Sequence, residues 1–151
     1  MQSLHMGEIP FLDLRAIFAR DAEALAEAFA RVRDSGWYVL GEEVARFEQE
    51  YATHCEAAHA VGVANGLEAL SLSLRALGIG PGDDVLVPSN TYIATWLAVT
   101  HVGARPVPVE PCIHTCNIDP NRLEDALTPA TRAVMPVHLY GQPADLDPIL
   151  A

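Results

Sequence analysis

The sequence contains no lysine: all nine basic residues among its 151 are arginine, at positions 15, 20, 31, 33, 46, 75, 105, 122 and 132. A guanidinium stays protonated and is a poor imine-forming nucleophile, so this stretch has no amine for attack on a carbonyl. Positive charge is scarce overall, with a formal net charge of −11. That excludes a nucleic-acid groove, an anionic membrane surface and a polybasic anchor. Any phosphate must be held locally, by backbone N–H groups or a helix N-terminus. No apolar run is long enough to span a bilayer, and the start lacks the basic-then-apolar pattern of a signal peptide. Cysteine pairing is missing too: Cys55, Cys112 and Cys116 are an odd set. We therefore expect reduced, cytoplasmic thiols. Cys112-x-His114-x-Cys116 does not have the spacing of a common zinc motif, and no metal site is assigned to it. Also absent are a Gly-x-Ser-x-Gly elbow, HExxH, a P-loop and paired CxxC.

What is present is apolar: half of the residues, enough for a sizeable core. Residues 1–9 read as a tag or disordered start, because Met1 to Met6 resembles a cloning scar. Residues 10–58 read as an N-terminal helical segment. Leu25, Phe29 and Val32 share one side of a helix over 21–34 that stops at Gly36. Val44, Phe47 and Tyr51 form the stripe of a second helix after Gly41. Between them lies the glycine-bracketed apolar loop Trp37 to Leu40.

From residue 59 the pattern alternates strand and helix. The expected strands are 60–64, 85–87, 106–109 and 133–137. The expected helices start at Asn65, where Asn65 and Glu68 make a capping-box pattern, at Tyr92, at Asp119-Pro120 and near Asp145. Gly78-Ile79-Gly80-Pro81-Gly82-Asp83 follows a helix and precedes a strand, the reverse of a dinucleotide fingerprint. Four apolar strands separated by helices predict an α/β fold, a mostly parallel sheet with helices on both faces. Ligands in such sheets bind at the carboxyl ends of the strands. Asn65 and Gly66, Ser89 to Tyr92, Glu110, and His138 with Tyr140 fall there together.

Asn65-Gly66-Leu67 leaves free N–H groups at the positive end of a helix dipole, which suits a phosphate. On this motif alone an ordinary capped helix is the better explanation. Tyr92 can stack on a flat heterocycle or fill the rim of the core. His138 can act as an acid or base, or serve as a hydrogen-bonded structural group. Glu68 is better explained as a cap than as a catalyst.

Several segments recur in one order: Ser35-Gly36-Trp37-Tyr38-Val39-Leu40-Gly41, then Gly62 to Leu70, then Gly78 to Asp83. Val87-Pro88-Ser89-Asn90-Thr91-Tyr92-Ile93-Ala94-Thr95 and Pro136-Val137-His138-Leu139-Tyr140-Gly141 follow. From about Pro10 onward this series resembles the DegT/DnrJ/EryC1/StrS family of pyridoxal-phosphate (PLP) dependent sugar aminotransferases. It looks most like members that make amino sugars for antibiotics from thymidine-diphosphate keto-sugars.

The resemblance implies a fold-type I PLP-dependent transferase large domain, begun in residues 59–151 and incomplete. It implies PLP as cofactor, a nucleotide-sugar substrate, an amino-acid donor and a homodimer. The cofactor-binding candidates are Asn65, Gly66, Leu67, Tyr92 and His138. Gly66 and Leu67 match the turn whose amides bind the PLP phosphate, and Tyr92 the aromatic that stacks on the ring. Many relatives carry a hydroxyl residue at the position of Leu67, so a side-chain phosphate contact is missing here. The family's Glu-Asp-Ala-Ala strand, with its ring-nitrogen Asp, and its cofactor-holding lysine do not occur in these residues. Both are expected downstream, leaving no catalytic residue in this stretch. The rival readings are a PLP-dependent sugar dehydratase or deoxygenase of the same superfamily, and a non-catalytic binding fragment.

Overall fold

The computed structural model describes residues 10–151, so the expected tag at 1–9 lies outside the described residues. These divide into two compact units, with the boundary between Gly62 and Val63.

The first unit is helical. Helix α1, Leu14–Ser35, begins seven residues earlier than its apolar spacing predicts, because Asp13 caps it by accepting N–H bonds from Arg15 and Ala16. It ends where Gly36 adopts φ 66°, a left-handed conformation that glycine reaches without a Cβ penalty. Helix α2, Glu42–His54, follows Gly41 as expected. Arg31 and Glu43 tie the two helices with an Nε–Oε1 bond of 2.6 Å.

The second unit is built on β1, Asp84–Pro88, every residue of which is buried. It is the middle strand of a parallel sheet in the order β2-β1-β3, with β2 at Arg105–Val109 and β3 at Thr131–Val134. Val85 and Val87 point to one face, into a cluster with Leu74 of α3 (Gly66–Ala76) and Ala98 and Val99 of α4 (Ile93–His101). Leu86 points to the other, against Val109, Ile118, Ala144 and Leu123 of α5 (Leu123–Ala126); Ile149 of α6 (Asp147–Leu150) packs there too. Helices therefore cover both faces, as the buried apolar run of β1 requires. Each such aliphatic side chain contributes about 1.5–3 kcal/mol on burial.

In β2, the Arg105 N–H donates to the Asp83 carbonyl. Residues of the same parity face β1, and Pro106 and Pro108 fall where an N–H would point away. Proline is tolerated on such an edge strand.

The expected strand at 60–64 does not form. Those residues make no ladder, and Val61 is 78% exposed. An apolar run becomes a strand only when a neighbour accepts its hydrogen bonds, and none of β1, β2 and β3 does so. The sheet of the described residues thus has three strands rather than four. The last strand ends at Val134, although the Met135 N–H still donates to the Leu86 carbonyl at 2.8 Å. The last helix begins at Asp147, two residues after Asp145.

Candidate functional site

Because the three strands are parallel, their carboxyl ends share one edge. Pro88, Val109 and Val134 lead there into residues 89–92, 110–118 and 135–142. Helix α3 reaches the same edge. Its C-terminus connects through Gly78–Asp83 to the start of β1, and its 11 residues pack beside β1 and α4. Eleven helical residues span about 16 Å, close to the length of a five-residue strand. The N-terminus of α3 therefore arrives level with the end of β1.

Asn65 is the N-cap of α3, its Oδ1 accepting the Glu68 N–H at 3.0 Å. The reciprocal half of the capping box, from the Glu68 side chain, does not form. Among the described residues, the N–H groups of Gly66 and Leu67 then have no acceptor, at the positive end of an 11-residue helix. A Cβ at Gly66 would meet nothing within 4 Å, so the start of the helix is uncrowded at that position. The side chain of Leu67 packs against the apolar cluster under α3 and offers no hydroxyl. No arginine lies in the segments at this edge, so backbone dipoles are the local source of positive potential.

Tyr92 is the N-cap of α4 and is 77% exposed. Its loop is held from both sides. Thr91 and Thr95 share a hydroxyl–hydroxyl bond of 2.9 Å, and the Asn90 Nδ2 donates to the Cys116 carbonyl at 2.9 Å. The Ser89 N–H donates to the Val109 carbonyl at 2.9 Å, closing the loop base.

His138 follows β3, and its Nδ1 accepts the Ala144 N–H at 2.9 Å. In the neutral ring this leaves Nε2 as the donor. His138 thus takes the hydrogen-bonded structural role that its residue type left open, with one nitrogen still available at the edge. The next turn, Leu139–Gly141, holds Tyr140 at φ 54°, and Tyr140 is exposed.

The turn after β2 carries residues that sequence reasoning passed over. Asn117 is buried and bonds to Leu139 and Gln142. Its signal is weak, since its partners are far away in sequence. Backbone N–H groups of His114 and Thr115, and the Thr115 hydroxyl, surround the Cys112 thiol and hold it below its ordinary pKa. Among the described residues no cluster of three His, Cys, Asp or Glu is placed to hold a metal ion.

Tyr92 and His138 follow the carboxyl ends of β1 and β3, and Asn65, Gly66 and Leu67 form the start of α3; between them they offer a helix N-terminus, an exposed aromatic and a ring N–H donor. This combination suits a ligand with a phosphate and a flat ring.

The chain is 58% identical over 139 residues to a dTDP-3-amino-3,4,6-trideoxy-alpha-D-glucose transaminase of Streptomyces venezuelae, covering 92% of this chain and 37% of the relative. Among solved structures, DesV of S. venezuelae in complex with a ketimine intermediate superposes with a TM-score of 0.90 at 56% identity. That match covers 94% of this chain and 38% of DesV. NtdA of Bacillus subtilis with bound cofactor PMP gives a TM-score of 0.89 at 31% identity, over 99% of this chain and 34% of that one. The chain spans under two fifths of the length of each of these proteins. Residues 19–151 match the DegT/DnrJ/EryC1/StrS aminotransferase family. The fold is that of an incomplete fold-type I large domain, and the chain belongs to this family of PLP-dependent enzymes.

Proposed function

We propose that the edge described above is the phosphate and ring side of the PLP site in a nucleotide-sugar aminotransferase. The whole protein would transfer an amino group from an amino acid to a dTDP-linked keto-sugar, for antibiotic or polysaccharide biosynthesis. The observation that carries the reading is the pair of amides at Gly66 and Leu67, without an acceptor among the described residues, at the start of α3.

Those amides and the helix dipole hold the phosphate dianion, which the acidic chain as a whole repels. Tyr92, on a loop fixed by Thr91 and Asn90, offers its ring as a stacking surface. His138 presents Nε2–H as a donor. When bound, PLP supplies an electron sink for bond breaking beside the donor nitrogen. These residues hold no lysine, so in this reading the proton-moving amine would be supplied from outside them. Residues 59–151 form the first part of the cofactor-binding domain, and 10–58 its helical N-terminal segment. The assembly is a homodimer in the cytoplasm. The dTDP preference is supported by the name of the Streptomyces transaminase.

The test uses the full-length protein containing this chain, with PLP, an amino-acid donor and a dTDP-keto-sugar. Mass spectrometry is expected to find the carbonyl oxygen replaced by an amine. Loss of a hydroxyl without gain of nitrogen, or no turnover of any nucleotide-linked keto-sugar, would overturn the reading.

A further inference from the structure

Asn117 is 2% exposed, and a buried amide left without partners is costly. Both ends of its side chain are met by main chain of one distant loop. The Leu139 N–H donates to Oδ1 at 2.9 Å, and Nδ2 donates to the Gln142 carbonyl at 2.9 Å. Leucine offers neither group and aspartate lacks the donor, so only an amide meets both. The two bonds bracket the Leu139–Gly141 turn, where Tyr140 is held at φ 54°. A left-handed non-glycine residue persists only where its surroundings over-determine it. The same turn is closed on its outer side by the Ala144–His138 bond.

Asn117 is itself fixed. Its carbonyl accepts the Cys112 N–H at 2.9 Å, its neighbour Ile118 is buried, and Ile118 bridges Pro111. The preceding residue, Cys116, has φ 58° and gives its carbonyl to Asn90, two residues before Tyr92. One short turn after β2 therefore holds the loop of Tyr92 with one residue and the loop of His138 and Tyr140 with the next.

We propose that Asn117 is a positioning residue for the cofactor site. Through the Leu139–Gln142 turn it sets where His138 and Tyr140 stand at the sheet edge. Through Cys116 the turn to which it belongs keeps Tyr92 in step with them. This deepens the PLP reading and rests on it.

The experiment compares wild type, Asn117→Leu, Asn117→Asp and Asn90→Ala in the full-length protein. It reads amide exchange at Leu139 in the apoprotein, the PLP Kd, and the visible circular dichroism of bound PLP. In Asn117→Leu the Leu139 amide loses protection, the Kd weakens on the order of tenfold, as for a lost supporting hydrogen bond, and the dichroism changes. Asn117→Asp keeps the acceptor, so it retains Leu139 protection and recovers part of the affinity. Asn90→Ala weakens PLP binding without touching Leu139 exchange. A folded Asn117→Leu with wild-type Kd and dichroism overturns the proposal. If that variant does not fold, Asn117→Asp takes its place, and wild-type values in it overturn the proposal equally. If wild type itself fails to bind PLP, the functional reading fails instead. Retained Leu139 protection in apo Asn117→Leu would then overturn the clamp by itself.

Discussion

Asn65 secures the first turn of α3 with a single bond, its Oδ1 accepting the Glu68 N–H. Asn65→Ala is expected to cost about 1 kcal/mol of stability, the usual effect of losing an N-cap, measured as a lower denaturation midpoint. This role is legible locally, because asparagine at the start of an apolar stripe with Glu68 three residues on is a short-range pattern. Asn117 is the opposite case. Its partners lie 22 and 25 residues away, so no spacing rule points to them. Cys112 lies between these extremes. The Cys-x-His-x-Cys pattern attracts notice as a metal motif, yet the loop wraps the first thiol in N–H groups from His114 and Thr115. Alkylation of Cys112 by iodoacetamide is expected to switch on at lower pH than for an ordinary thiol, because the thiolate forms earlier. A midpoint at or above the ordinary thiol range would contradict the loop geometry.

At the scale of elements, the best-read piece is β1, a continuous apolar run that proves buried on both faces. Leu86 is fully buried in the cluster opposite α3 and α4, and Leu86→Ala is expected to destabilise by about 2–5 kcal/mol in chemical denaturation. The strand's first residue, Asp84, is buried and carries the sheet's main ionic tie. It accepts from Arg105 Nε at 2.7 Å and from the Thr128 hydroxyl at 2.6 Å. The Arg105 guanidinium, helped by Thr128, pulls its pKa from the ordinary 3.8 down to about 2. A carboxylate with a depressed folded-state pKa stabilises above its unfolded value and loses that contribution as pH falls through its folded one. Stability is therefore expected to drop between pH 3.8 and about 2, and Asp84→Asn should be less stable at neutral pH with a flatter decline over that window. An unchanged acid profile in Asp84→Asn would show that the tie contributes nothing. The misread elements have equally physical causes. The run at 60–64 has strand composition but no neighbour to pair with, and pairing is not encoded within the run. Helix α1 gains its first turns from Asp13, whereas the apolar spacing used to place it starts only at Leu25.

For the molecule as a whole, the fold class follows from alternation of apolar runs with capped helices. The site follows from one geometric rule, that parallel strands end together. Family membership depends instead on several motifs in fixed order, each weak alone. The chemistry of the complete enzyme is less legible, because the chain covers 37% of the Streptomyces transaminase and holds no lysine. What we propose it holds is a phosphate cradle, which is testable apart from catalysis. Gly66 is the first residue of α3, where an acid favours the helix dipole, and an added Cβ meets no atom within 4 Å. Gly66→Asp should therefore fold as well as wild type while placing a carboxylate where the phosphate would sit. The most direct measurement is a PLP titration of the full-length protein and its Gly66→Asp variant, each checked for an unchanged melting temperature. Saturable binding by wild type that weakens at least about tenfold in the variant is the predicted result. Equal affinity in the two proteins would contradict the assignment of the phosphate to the start of α3.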